Sequence, residues 1–247
     1  MRLTDRIYLV ASSEADWALT DPLDSQVYLV DTGDGLACID AGAGRSHDRI
    51  VAAVRADGLE PERIRWVLLT HGHADHAGGA AAWRRALPGV TIGASSLVAG
   101  WLADGNEEAL SLDRARRAGI YPSDYRLQAC ETDLVLAPDT TILLGGLRLQ
   151  VVPTPGHAEG HLAFVVEIDG AVTAFSGDAL FPDGRILLQD TWDCDVRLAL
   201  RSVERLAAYH PERLLAGHLA PILSDAGRHI GAALERIARL AVPASIF

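Results

Sequence analysis

Short apolar runs separated by polar turns fill the first forty positions: RIYLV, VYLVDTG and GLACID read as strands, the last ending at Asp40. The turn Gly33-Asp34-Gly35 predicts a hairpin between the second and third. ASSEADWALTDPLDS, between the first and second, is polar and predicts a loop carrying Trp17. The period then changes. In DRIVAAVRADG the apolar Ile50, Val51, Val54 and Leu59 follow helical spacing, with Gly58 placed to end the helix. RWVLLT is the next strand, HADHAGGAAAWRRALPG a turn running into a helix that Pro88 and Gly89 stop, and VTIGA another strand.

Residues 95–129 differ in texture. They predict a mostly helical insertion, with EEALSLDRARRAGI charged on several faces, too short to hold a core of its own. From about residue 133 strands return, as DLVLA, TTILLGG, LRLQVVPTPGH, HLAFVVEIDG and AVTAFSGD. A helix (VRLALRSVERLAAYH), a strand (RLLAGH) and a last helix (DAGRHIGAALERIARL) follow. Each half thus runs strands first and then strand–helix alternation. This predicts two similar α/β halves whose sheets pack face to face with helices outside, within a single domain over residues 1–247.

Charge and cysteines narrow the function classes. The formal charge is −11 and every cation is Arg, so a broad nucleic-acid surface is not expected, although a local Arg cluster is compatible. Cys38, Cys130 and Cys194 are scattered and odd in number, which implies no disulfide framework. No apolar run approaches the roughly 20 residues of a membrane span, and MRLTDRIYLVASSE lacks a leader pattern. The expectation is a cytoplasmic protein acting on a small molecule, with no nucleic-acid or membrane partner.

The chemistry is concentrated at four strand ends. THGHADHAGG places His71, His73, Asp75 and His76 within six positions; VVPTPGH brings His157, TAFSGD brings Asp178 and LLAGH brings His218. Loops at such ends converge while the sheet holds them rigid. Five His and two Asp suit two metal ions, zinc first, with iron or manganese also compatible with this donor set. His71 and His73, two apart, can face one way in an extended turn, while Asp75 and His76 begin the following helix and point elsewhere. His47, His210 and His229 read as surface or core histidines. Trp17, Trp101, Tyr121, Tyr125 and Trp192 are candidates for a substrate pocket, with ordinary packing as the alternative.

In this order THGHADHAGG, TPGH, SGD and AGH, with CIDAG near residue 40, resemble the metallo-β-lactamase superfamily, specifically its glyoxalase II-like and lactonase-like branch. The resemblance covers nearly the whole chain. It implies a four-layer αββα sandwich with the site at one edge of the two sheets. It implies that His71, His73 and His157 hold one metal, that Asp75, His76 and His218 hold a second, and that Asp178 bridges them. Asp40 would order the HGHADH loop. Three departures stand out: Leu219 follows His218 where many relatives have a small residue, and Ala158 and Glu159 replace Thr and Pro in the TPGHAEGH stretch. His161 matches a position common in the family and reads as a supporting or packing residue.

Two divalent ions can bring a shared water to a pKa near 7, and the hydroxide attacks an acyl carbon without a Ser or Cys nucleophile. Asp75 can deliver the proton. The expected activity is hydrolysis of a small ester, lactone or thioester. The alternatives are an iron-dependent persulfide dioxygenase, whose ligands are a subset of these residues, and a β-lactamase, whose relatives carry Cys or Ser where Asp178 stands.

Overall fold

The computed structural model describes residues 1–13 and 18–246, so Trp17 lies outside the described residues. The chain divides into two compact units, Met1–Leu136 and Ala137–Phe247. Among the described residues no helix is long and apolar enough to cross a membrane.

The first unit is built on a sheet in the order β1 (Ile7–Ala11), β2 (Val27–Asp31), β3 (Leu36–Ile39), β4 (Ile64–Leu68), β5 (Thr91–Ala94) and β6 (Leu134–Val135). The first three strands pair antiparallel, and β3 to β6 run parallel. Parallel neighbours need a crossover, which helices supply. They are α1 (His47–Ala56), α2 (Ala74–Ala77), α3 (Ala80–Ala86), α4 (Ser96–Ala103) and α5 (Leu112–Arg117). Ile50 and Val54 of α1, Trp83 of α3, and Val98 and Leu102 of α4 join Val27, Leu29, Leu36, Val67 and Ile92 in one core. Ile7, Leu9, Tyr28 and Ile39 are also buried, which is why these strands read as continuous apolar runs and not as alternation. Gly58 ends α1 as expected: it takes φ +76°, and a Cβ there would meet nothing, so the requirement is conformational.

The 95–129 segment lies between the neighbouring strands β5 and β6, an insertion into one crossover. Helix occupies only part of it. Ser111 and Gly119 bracket α5 with φ of 55° and 77°, and Pro122 follows, so the helical pattern of EEALSLDRARRAGI survives only over Leu112–Arg117. The segment has no core apart from the unit's own. Val98, Leu102, Leu110 and Cys130 join the sheet core, while Leu112, Tyr121 and Tyr125 pack on Ala43 and Ala74.

The second unit holds a sheet in the order β11 (Arg213–Ala216), β10 (Ala171–Gly177), β9 (Leu162–Ile168), β8 (Leu147–Pro153) and β7 (Thr140–Leu144). Pairs are antiparallel except β10–β11. Strands β8, β10 and β11 therefore run the same way, and their C-terminal ends share one edge of the sheet. Helices α6 (Val196–Ala207) and α7 (Ala226–Ala238) cover a face. Val203, Leu206, Ile230 and Ala233 pack there on Val152, Ala163, Val165 and Ala174. Asp195 caps α6, accepting from the N–H groups of Arg197 and Leu198.

Of the histidines outside the motifs, His229 accepts from the Asp183 N–H at 2.8 Å and His210 is exposed. His47 stands edge-on to the Trp83 indole at 4.4 Å between centroids. Burial, aided by Arg85, holds the His47 imidazole below its ordinary value of 6.5. The unfolded chain therefore takes up this proton at a higher pH than the folded one. Its stabilisation is complete above 6.5 and is lost as pH falls through the folded value. Tm is expected to drop between pH 7 and pH 5, and the His47→Phe variant to show a shallower drop. Parallel melting curves for the two proteins would count against this reading.

Candidate metal centre

In the first unit, β3 and β4 lie side by side and parallel, so the residues just past their ends meet. Asp40 takes φ 63° and donates its N–H to the Leu68 carbonyl at 2.9 Å. Its buried carboxylate then accepts from the Thr70 N–H at 2.7 Å and from the Thr70 hydroxyl at about the same reach, 2.9–3.0 Å. The same carboxylate lies 2.7 Å from Nδ1 of His76. The Thr70 hydroxyl, having given its proton to Asp40, accepts from Nδ1 of His71 at 3.1 Å. Both rings are thereby set with Nδ1 toward the protein and Nε2 outward.

The turn itself is compact. His73 opens α2 in an extended conformation, and its carbonyl accepts from the N–H groups of His76 and Ala77 at 3.0 and 2.9 Å. The ring centroids of His73 and His76 lie 4.7 and 4.1 Å from that of His71. Nε2 of His76 is 3.3 Å from Oδ2 of Asp75. The paired glycines that follow are a steric necessity: a Cβ on Gly79 would sit 2.0 Å from the Ala41 carbonyl oxygen, where the chain after β3 crosses. Asp75 is fixed at both ends. The Ser25 hydroxyl and N–H donate to its carbonyl, and the Tyr121 hydroxyl accepts from its N–H at 3.0 Å and donates to Oδ1 at 2.8 Å. Burial beside this carboxylate raises the Tyr121 phenol well above its ordinary 10, so it stays a donor.

In the second unit the shared strand edge carries the remaining donors. His157 follows β8, Asp178 follows β10 and His218 follows β11. One oxygen of Asp178, Oδ2, lies 3.6 Å from Nε2 of His157 and 3.5 Å from Nε2 of His218. Nδ1 of His157 donates to the Leu187 carbonyl at 3.3 Å, again turning Nε2 outward. Gly156 lets this loop lie against α6: its φ is +128°, and a Cβ would stand 2.1 Å from the Ala199 nitrogen. His161 has the supporting part. Its Nε2 accepts from the Asp178 N–H at 3.1 Å, so its Nδ1 donates to the Thr154 hydroxyl at 2.8 Å. Leu219 adopts φ 65° and packs with Phe181 and Leu187, while the Phe181 ring stacks on His218 with centroids 6.4 Å apart. The departure at Leu219 thus comes with an apolar seat beneath the His218 loop.

The donor chemistry fits divalent ions. His71, His76 and His157 each present Nε2 because protein groups engage Nδ1, the pattern of imidazoles arranged for a metal. The expected residues assemble within each unit: His71, His73, Asp75 and His76 in the first, His157, Asp178 and His218 in the second. Thr70, Ser25 and the Leu187 carbonyl were not expected, and Tyr121, expected only as a candidate for a substrate pocket, bonds Asp75. Thr70 precedes His71 directly and a hydroxyl there could have been suspected; Tyr121, 46 residues from Asp75, gives no local signal. Among the other aromatic candidates Tyr125 is buried, Trp101 is partly buried against the core, and Trp192 is 54% exposed.

Comparison with known proteins agrees with this geometry. The sequence profile of the metallo-β-lactamase superfamily matches residues 20–218. A hydroxyacylglutathione hydrolase of Anaeromyxobacter dehalogenans is 34% identical over 158 residues, 64% of this chain and 47% of that protein. Another, from Acidiphilium cryptum, is 31% identical over 196 residues, 79% of this chain and 64% of that protein. The chain thus spans about half to two thirds of the length of these curated relatives. Among solved structures, BJP-1, a subclass B3 metallo-β-lactamase of Bradyrhizobium japonicum, superposes with a TM-score of 0.73 at 21% identity, covering 97% of this chain and 91% of that one. A metallo-β-lactamase family protein from Thermus thermophilus gives 0.70 at 24%, covering 97% and 82%. These neighbours share the α/β sandwich fold, for which each unit here supplies a mixed sheet and its helical layer. The chain belongs to the metallo-β-lactamase superfamily.

Proposed function

We propose that the chain is a metal-dependent hydrolase of a small ester, lactone or thioester. His71, His73 and His157 would hold one ion, Asp75, His76 and His218 a second, and Asp178 would serve both. Two divalent ions, zinc for so imidazole-rich a set, would supply the charge that polarises an acyl carbonyl and acidifies water near neutral pH. The chain's own groups do the rest. Asp40, Thr70 and the Leu187 carbonyl keep the imidazoles in one tautomer. Asp75, with Oδ1 restrained by the Tyr121 hydroxyl, is the group placed to hold a proton and give it to the departing alkoxide or thiolate.

The observation that carries this reading is the Asp178 oxygen facing two imidazoles at 3.6 and 3.5 Å, an acidic group shared between donors. The relatives named hydroxyacylglutathione hydrolase favour a thioester. The test is metal analysis of the purified protein followed by a panel of lactones, thioesters and a chromogenic cephalosporin. Two metals per chain with turnover of an ester-type substrate is the expected result. One iron with oxygen uptake on glutathione persulfide would replace the reading with a dioxygenase, and turnover of cephalosporin alone would make it a β-lactamase.

Tyr121→Phe separates positioning from binding. It leaves the ring packed and removes only the hydroxyl on Asp75. The expected outcome is a kcat roughly ten-fold lower with KM little changed, since a mis-set proton carrier costs the chemical step and not substrate affinity. Steady-state kinetics that change KM alone would assign Tyr121 to the substrate instead.

A further inference from the structure

A cleft of about 380 Å³ opens in the first unit, lined by none of the proposed metal donors. Its lining includes Arg45, Tyr125, Arg126 and Gln128, with Gly44 and Gly78. On a chain with 33 acidic residues against 22 arginines, this cleft gathers cations. Arg45 and Arg126 line it, and Arg85 reaches it through Gln128, donating to Oε1 at 2.6 Å. That bond commits the Gln128 oxygen as acceptor and leaves its amide to act as donor. Arg126 is held in one orientation, because its Nη1 donates to the carbonyls of Ser123 and Tyr125 at 2.7 and 2.8 Å. Arg45 forms an ion pair with Asp21 at 3.6 Å, too long for a hydrogen bond, so its donors are not held by that carboxylate. Asp124 is the one acid in the lining.

The chain next to Arg45 leaves one polar group unsatisfied. Ser46 follows Arg45 and opens the ten-residue α1, yet its side chain makes no cap bond. The Ser46 hydroxyl is buried, 8% exposed as a residue, and has no hydrogen-bond partner among the described residues. Two guanidinium groups line the cleft itself, and guanidinium is the side chain best suited to hold a carboxylate or phosphate.

We propose that this cleft binds a small anion, a carboxylate or phosphate group, between Arg45 and Arg126. Its volume sits at the lower end of small-molecule sites, which run from roughly 300 to 1,000 Å³. The site also has a route to the donor cluster. Tyr125, a wall of the cleft, packs against Tyr121 with centroids 5.1 Å apart, and Tyr121 holds Asp75. An anion seated there leans on the aromatic pair that sets this carboxylate.

The test is isothermal titration of the intact, metal-loaded protein with inorganic phosphate and, separately, with succinate, for wild type and the Arg45→Gln/Arg126→Gln variant matched in metal content. Saturable binding in wild type, weakened at least about ten-fold in the variant and by added salt, is expected. The tighter of the two probes identifies the anion class. No saturable binding of either probe, or equal binding by both proteins, overturns the proposal; equal binding would place the anion at the metal donors. Should the double variant fail to fold, Arg45→Gln alone, at a half-exposed position, is expected to weaken binding several-fold, and unchanged binding there also overturns it. The metal content, read in the same samples, reports separately on the hydrolase reading.

Discussion

Replacing His73 with alanine is expected to abolish hydrolysis and to lower the metal content while the fold survives. The two halves of that statement come from different atoms. The backbone carbonyl of His73, not its ring, accepts from the N–H groups of His76 and Ala77, so the turn into α2 keeps its bonds in the variant. The ring is only partly buried, and its loss leaves no large void. Metal-free variant and metal-free wild type should therefore melt within about 3 °C of each other, about 1 kcal/mol for a chain of this size. On the proposed ligand assignment the ring is a direct donor. Residues that merely support a metal ligand are worth roughly 10–100-fold, so kcat/KM should fall by at least about a hundred-fold. Plasma emission spectroscopy and calorimetry on the same preparation decide it. A variant with full metal and full turnover would remove His73 from the site.

Asp40→Ala should behave differently, losing stability and metal together. Asp40 is 2% exposed and accepts from the Thr70 backbone, the Thr70 hydroxyl and His76. Truncation leaves a buried N–H and a buried imidazole without an acceptor, and alanine tolerates φ 63° less well than aspartate. Stranded buried groups cost roughly 1–3 kcal/mol each, so a loss of about 3–5 kcal/mol is expected in denaturant unfolding. Asp40→Asn isolates the metal part. Its amide oxygen can still accept from Thr70, but the NH₂ group would face Nδ1–H of His76 as a second donor. His76 must then turn or change tautomer. Expected is a near-native melt with ten-fold or greater loss of affinity for the second ion, in line with supporting residues elsewhere. Wild-type affinity for both ions in the asparagine variant would refute the role given to Asp40.

The strands and the donor residues were legible because their signals are local. VYLV and GLACI are buried on both faces and so read as unbroken apolar runs. HGHADH packs four donors into one turn. Each of the other donors follows its strand by only a few residues. What was not legible depends on contacts across the chain. Nothing around Tyr121 announces that its hydroxyl will meet Asp75, because the pairing is made by the fold of the insertion. The helical pattern of residues 107–120 is real but loses to the positive-φ turns at Ser111 and Gly119. Leu219 stands out in the sequence only as a departure after His218. Its side chain packs with Phe181 and Leu187, a pairing that spacing alone could not suggest.

The insertion sits inside one crossover, between strands that are already neighbours, so its exposed positions can change without altering the register of the sheet. Yet it lends a single hydroxyl to the proton carrier of the proposed reaction. Exchanging this segment among homologous proteins is therefore a way to retune the timing of proton release while every imidazole stays where the strands have put it.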